Sequence, residues 1–245
     1  KEFKHICLPA EYNENTIKPE LARKLYKHGL LDPNRLSPAN LKELTIDLGA
    51  VSYQAQVNQN PADKSNSIIQ EDWLPIISFA DWQRIIEDKT LKINFYIDGA
   101  YTDVTSRDPS AIVCCTKVNE ILYILNVAQV WKQFNDLCRY VYSWCESNGM
   151  NYQSKVVIEP MGPGKDLISN LRQEFPVNAV SGPPPKGQKK ERLSNISGLV
   201  QGGKVALIEG HWNRLLLDEI SSNDNPRDDI QDAFCMSVVD NLVTG

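Results

Sequence analysis

A chain of 245 residues, 42% hydrophobic and 23% charged, is long and apolar enough to bury a sizeable core. Its net charge of −5 excludes a surface that is basic all over, yet leaves room for an acidic metal site beside a local basic strip. The longest apolar stretches, such as Ile121–Val127, are far too short to span a bilayer, and Lys1–Pro9 alternates charged and apolar residues unlike a secretory leader. No membrane partner is therefore expected. The six cysteines (Cys7, Cys114, Cys115, Cys138, Cys145, Cys235) include no C-x-x-C pair, and only three histidines are present, so a structural zinc site of the usual spacing is not expected. Scattered thiols in a chain of this size read as core residues of a reducing compartment.

In chain order, the first ninety residues are rich in Pro, Asn and Asp, with short helices expected at Pro19–His28 and Pro38–Leu48, each with Pro near its start, and a polar loop at Asn58–Asn66. This stretch, 1–90, reads as an N-terminal extension or linker packing on a core domain at 91–245. Lys92–Asp98 alternates and stops at Asp98-Gly99. Ala111–Val118 and Glu120–Val127 are β-rich runs around a tight turn, a hairpin signature. Trp131–Asn148 repeats apolar residues at helical spacing. Further on, Lys155–Glu159 and Val177–Val180 read as short strands around an Asp166–Phe175 helix. Helices at Glu191–Leu199 and Trp212–Ser221 flank a Val205–Ile208 strand, and Asp228–Leu242 forms a last helix with Ile230, Ala233, Phe234, Ser237 and Val238 inward. Strands interleaved with helices define an α/β class with a mixed central sheet flanked by helices.

Acidic residues stand where these buried elements end or begin. Asp98 closes the strand Ile93–Ile97, and Glu159 closes Val156–Ile158. Asp228, Asp229 and Asp232 occupy the first turns of the last helix, where spacings of three and four residues place them on one face. A buried charge is costly unless something pairs with it. Carboxylates drawn from strand ends and a helix start are what magnesium or manganese requires: oxygen ligands, with positions left for water and phosphate. Two such ions about 3.5–4 Å apart activate a water and stabilise the departing oxygen of a phosphodiester. Each acid also has a plain structural reading, Asp98-Gly99 as a turn and Asp228 and Asp229 as helix caps.

The order of these segments resembles the nuclease domain of tailed-phage terminase large subunits. Phe95-Tyr96-Ile97-Asp98-Gly99-Ala100-Tyr101 is similar to the first acidic motif of that family, Val157-Ile158-Glu159 to the second, and Arg227–Ala233 to the third. Gly210–Arg214 followed by Leu217-Asp218-Glu219 is similar to the helix preceding the third motif, and Leu48–Pro61 with Ile68–Trp73 to the segment that joins ATPase and nuclease. The resemblance implies a ribonuclease H-like fold. It implies a metal-dependent endonuclease that cuts concatemeric double-stranded viral DNA during genome packaging in the host cytoplasm at the procapsid. Its implied partners are DNA, an ATPase domain in the full-length chain, a portal protein and a small terminase subunit. On this reading Asp98, Glu159 and Asp229 are the catalytic acids, Asp228 and Asp232 assist in holding two Mg2+ or Mn2+ ions, and Arg227 contacts phosphate where many relatives have His.

A second signal is basic. Gly182–Arg192 carries Lys186, Lys189, Lys190 and Arg192 against Glu191 alone, a local excess that would guide a DNA backbone; a solvated loop is the plain alternative. Gly198–Lys204 matches the phosphate-loop pattern G-x-x-x-x-G-K, but Val205 replaces the required Ser or Thr and the pattern follows a helix, so no nucleotide site is expected. Two other functions fit the same residues: a resolvase-type nuclease of the same fold class, preferring branched DNA, and a non-catalytic module docking on a portal.

Overall fold

The computed structural model describes residues 5–48, 53, 55–60, 67–87, 89–100, 108–160, 164–183, 189–222 and 227–244. Tyr101 of the first motif, Lys186 of the basic strip and most of the polar loop at Asn58–Asn66 lie outside them, as do the side chains of Lys189 and Lys190. Among the described residues no helix is long and apolar enough to cross a membrane.

The chain divides into two units, Lys1–Asn66 and Ser67–Gly245. The first has a small core of Ala10, Leu41 and Tyr53, helix α1 at Pro38–Leu48, and a short 3-10 helix at Glu20–Leu25 where a longer helix was expected. Single bridges such as Cys7 with Lys18 and Glu11 with Leu30, and hydrogen bonds such as that from the Asn58 side-chain amide to the Glu11 carboxylate at 2.8 Å, add to its order.

The second unit holds a seven-stranded mixed sheet in the order β1-β7-β4-β3-β2-β5-β6. Its strands are β1 (Ile76–Ile77), β2 (Ile93–Asp98), β3 (Ser110–Val118), β4 (Ile121–Val130), β5 (Val156–Ile158), β6 (Ala179–Ser181) and β7 (Val205–Ile208). Its helices are α2 (Phe79–Ile85), α3 (Phe134–Ser147), α4 (Gly164–Glu174), α5 (Lys189–Gln201), α6 (Asn213–Ile220) and α7 (Asp229–Leu242). β2, β3 and β4 are antiparallel, whereas β5 and β6 extend β2 in parallel and β7 and β1 extend β4 in parallel. The β3–β4 turn takes Asn119 and Glu120 to φ of 51° and 63°, the left-handed pair that matches the twist of a two-residue hairpin.

The stretch expected as an extension, 1–90, falls across this division, its first part to Asn66 in the first unit and its remainder in the second. Residues 67–90 belong to the sheet unit because β1 pairs with β7, Trp82 of α2 packs on Tyr123 of β4 at 5.0 Å between ring centroids, and Glu71 pairs with Arg214 of α6 at 3.1 Å. Two apolar layers sandwich the sheet. Phe95, Ile97, Ile112 and Ile158 pack on α3 and α4 through Leu137, Val141, Leu167 and Leu171. Tyr96, Val113, Cys115 and Val157 pack on α5, α6 and α7 through Ile196, Leu216, Phe234 and Val238. All six cysteines are buried free thiols, as core residues should be.

Candidate metal centre

Strand alternation decides where the first two acids point. Side chains two residues apart share a face, so Asp98 follows Asn94 and Tyr96 toward the α7 layer, while Phe95 and Ile97 face α3. A hydrogen bond of 2.7 Å from the Tyr96 hydroxyl to Asp240 of α7 fixes that direction. In β5 the same rule sends Val157, and then Glu159, to the same side. The parallel register sets Ile97 opposite Ile158, and the Glu159 amide donates to the Ile97 carbonyl at 3.0 Å. Asp98 and Glu159 thus emerge side by side at the carboxyl ends of adjacent parallel strands, the place where open α/β sheets present ligand sites.

The third acid comes from α7, whose inner face (Ile230, Ala233, Phe234, Val238) is buried against β2 and β3. This lays its first turns over the strand ends. Carboxylate oxygens of Asp98, Glu159 and Asp232 lie within 4.8 Å of one another. Burial first, then the charges of Glu159, Asp232 and Asp229, push the Asp98 carboxyl up to about 8. An all-oxygen donor set of this kind fits a hard divalent cation, and the mutual repulsion that raises Asp98 is what such a cation relieves.

The structure separates the remaining expected site residues. Asp229, expected in the central trio, is 7% exposed and its charge acts on Asp98 and Glu219, and Asp232, expected to assist, is the acid of α7 whose oxygen converges with those of Asp98 and Glu159. Asp228 is the residue before α7; its side chain makes no capping hydrogen bond, and its carbonyl accepts from the Asp232 amide at 2.9 Å. Arg227 lies over the Trp131 ring, 5.0 Å from its centroid. Arg192, expected on the basic strip, reaches the acids themselves and pairs with Asp232 at 2.6 Å.

Glu219 was legible only as part of a motif, and the structure gives it a role. Buried at 3% exposure, its carboxylate accepts the Gln231 amide at 2.8 Å and satisfies the start of α7 from the neighbouring helix. Burial, countered by these amide bonds and reinforced by Asp229 and Asp232, raises its carboxyl to about 7. The Gly-x-Trp motif before it is steric: a Cβ on Gly210 would collide with the Trp212 ring. Asn213 then closes the turn, accepting the Gly210 amide at 2.7 Å and donating to the Ile208 carbonyl at 2.9 Å. Gly198–Lys204 forms the end of α5 and its turn, with the Lys204 amide donating to the Leu199 carbonyl at 3.0 Å; a helix end replaces any phosphate loop.

A mixed α/β sheet with carboxylates at two adjacent strand ends and on the helix lying over them is a ribonuclease H-like architecture. Solved structures similar to this chain include large terminases and their nuclease domains. The large terminase nuclease from thermophilic phage G20c with bound magnesium aligns over 72% of this chain and 97% of its own, at TM-score 0.52 and 17% identity. The cobalt-bound form gives the same coverage and identity at TM-score 0.51. The large terminase from a second thermophilic bacteriophage aligns over 86% of this chain and 53% of its own, at TM-score 0.54 and 13% identity, so this chain spans about half its length. No protein-family model matches the sequence, and no curated protein matches it.

Proposed function

We propose that this chain is the nuclease part of a large terminase subunit, a metal-dependent endodeoxyribonuclease that cleaves concatemeric double-stranded viral DNA during genome packaging. The observation that carries the reading is the convergence of Asp98, Glu159 and Asp232 within 4.8 Å, from two strand ends and a helix, in a fold shared with terminase nucleases. Asp98, Glu159 and Asp232 would hold Mg2+ or Mn2+, with Asp229 and Asp228 beside them to complete a second ion's set. Such ions supply an activated water and charge neutralisation at the departing oxygen. The protein's own contribution is positional. Parallel pairing of β2 and β5 fixes Asp98 and Glu159, the Glu219 carboxylate anchors the amides that start α7, and α7 carries Asp232 over the strand ends. Lys186, Lys189 and Lys190 would guide the duplex by phosphate contacts.

Its working context would be the host cytoplasm, at the procapsid, with portal protein, small terminase subunit and an ATPase domain of the full-length chain as partners. The large terminase that shares the fold, about half of whose length this chain spans, supports the ATPase domain in that reading. The purified protein is expected to nick or degrade duplex DNA with magnesium or manganese and to stop when EDTA is added. Cleavage that persists in EDTA would refute the two-metal reading.

A further inference from the structure

Arg192 is the one residue of the basic segment whose described side chain reaches the acids. It lies in the first turn of α5, and its guanidinium stands 2.6 Å from Asp232, with side-chain exposures of 19% and 9%. The carboxylate it holds is one of the three that converge on the candidate metal position. An oxygen engaged this closely by one cation is poorly available to another, because two positive charges at neighbouring points on a shielded carboxylate repel strongly. Arg192 and Asp232, together with Glu159, Pro183, Asn195 and Met236, line a cavity of about 350 Å3, so the guanidinium has space to leave its partner. Once released, its planar fork matches two oxygens of a backbone phosphate.

We propose that Arg192 is a removable counterion of the metal centre. It neutralises Asp232 while the site is empty of cation, and moves to a DNA phosphate when the cation arrives. This rests on the reading of the site as a metal-dependent nuclease. Coupling of this kind is reciprocal: if metal frees Arg192 for phosphate, then phosphate frees Asp232 for metal. The exchange favours metal loading when DNA is in the cleft.

The test uses the whole chain and two probes, manganese alone and a short labelled duplex. Manganese uptake is followed by the spin-resonance signal of the free ion for the parent, Arg192→Ala and Arg192→Lys, and folding is checked by circular dichroism. Arg192→Ala should take up manganese about five- to ten-fold more tightly than the parent, the lower range of typical coupling between sites. Arg192→Lys keeps the charge without the fork and should stay near the parent. Duplex affinity, read by anisotropy with and without calcium as a second hard cation, should rise with the ion in the parent and lose that dependence in Arg192→Ala. Should the alanine variant fail to fold, Arg192→Gln carries the same expectation. Manganese binding to Arg192→Ala that is equal to or weaker than the parent's overturns the counterion role while leaving the metal centre standing. A parent that takes up no manganese overturns the metal centre, and the counterion role with it.

Discussion

At the scale of single residues, the structure distinguishes acids that the sequence leaves equivalent. Asp98 has its charge opposed by burial and by three carboxylates, so Asp98→Asn removes repulsion as well as a ligand. It should abolish cleavage and leave the melting temperature of the metal-free protein equal or higher; a melting temperature several degrees lower would contradict the crowded-carboxylate picture. Asp232→Asn should abolish cleavage too, but without a gain in stability, because Arg192 loses its ion pair. Activity after Asp229→Asn should exceed that after Asp232→Asn, since Asp232 supplies the third converging oxygen; the reverse order would restore Asp229 to the trio. Glu219 offers a different contrast. Glu219→Gln keeps an acceptor for the Gln231 amide and should preserve the fold, whereas Glu219→Ala leaves buried amides open at about 1–3 kcal/mol. Urea unfolding of the two variants measures the difference, and equal stabilities would remove the capping role.

At the scale of elements, what was legible followed from period and length. Val205–Ile208 and Pro38–Leu48 stand where their patterns place them, and the last helix presents Ile230, Ala233, Phe234, Ser237 and Val238 as its buried face. β1 was missed because two residues between Pro75 and Ser78 carry no period, and its pairing partner, β7, lies more than a hundred residues on. α2 did carry a local signal: the Ser78 hydroxyl accepts the Asp81 amide at 3.1 Å, a Ser-x-x-Asp start that the sequence displays. The candidate site was half legible. Strand and helix ends locate Asp98, Glu159 and the α7 acids, but choosing Asp232 over Asp229 needs the rotation of α7 on the sheet, and pairing Arg192 with Asp232 needs the packing of α5 on α7. Glycine at 164 shows how closely elements meet here. A Cβ at that position would overlap the Glu159 carbonyl oxygen, so α4 can start beneath the β5 end only with glycine. Gly164→Ala should cost about 1–3 kcal/mol as overpacking and weaken manganese uptake by displacing Glu159. Unchanged uptake in a folded Gly164→Ala protein would show that Glu159 does not depend on this contact.

At the scale of the whole molecule, the net charge of −5 and the buried acids together set how stability responds to pH and cations. In the folded chain the carboxyl of Asp98 is pushed up to about 8 and that of Glu219 to about 7, against ordinary values of 3.8 and 4.5. Between the ordinary and the raised values the folded protein binds more protons than the unfolded one. Its stability therefore falls as pH rises through that window. A divalent cation bound beside Asp98 does the work of its missing proton and binds only the native state, which it stabilises the more the tighter it binds. The metal-free protein should accordingly melt at a lower temperature at about pH 8 than at about pH 5.5, a range within the window between the ordinary and the raised values. Added magnesium should raise the melting temperature more at the higher pH, where it displaces few protons, than at the lower pH, where it must displace them. Asp98→Asn should show a shallower pH slope and a smaller magnesium effect than the parent. A parent whose melting temperature climbs steadily across that pH range, or whose magnesium effect is larger at the acid end, would mean that these carboxylates are neither raised by one another nor gathered around the cation.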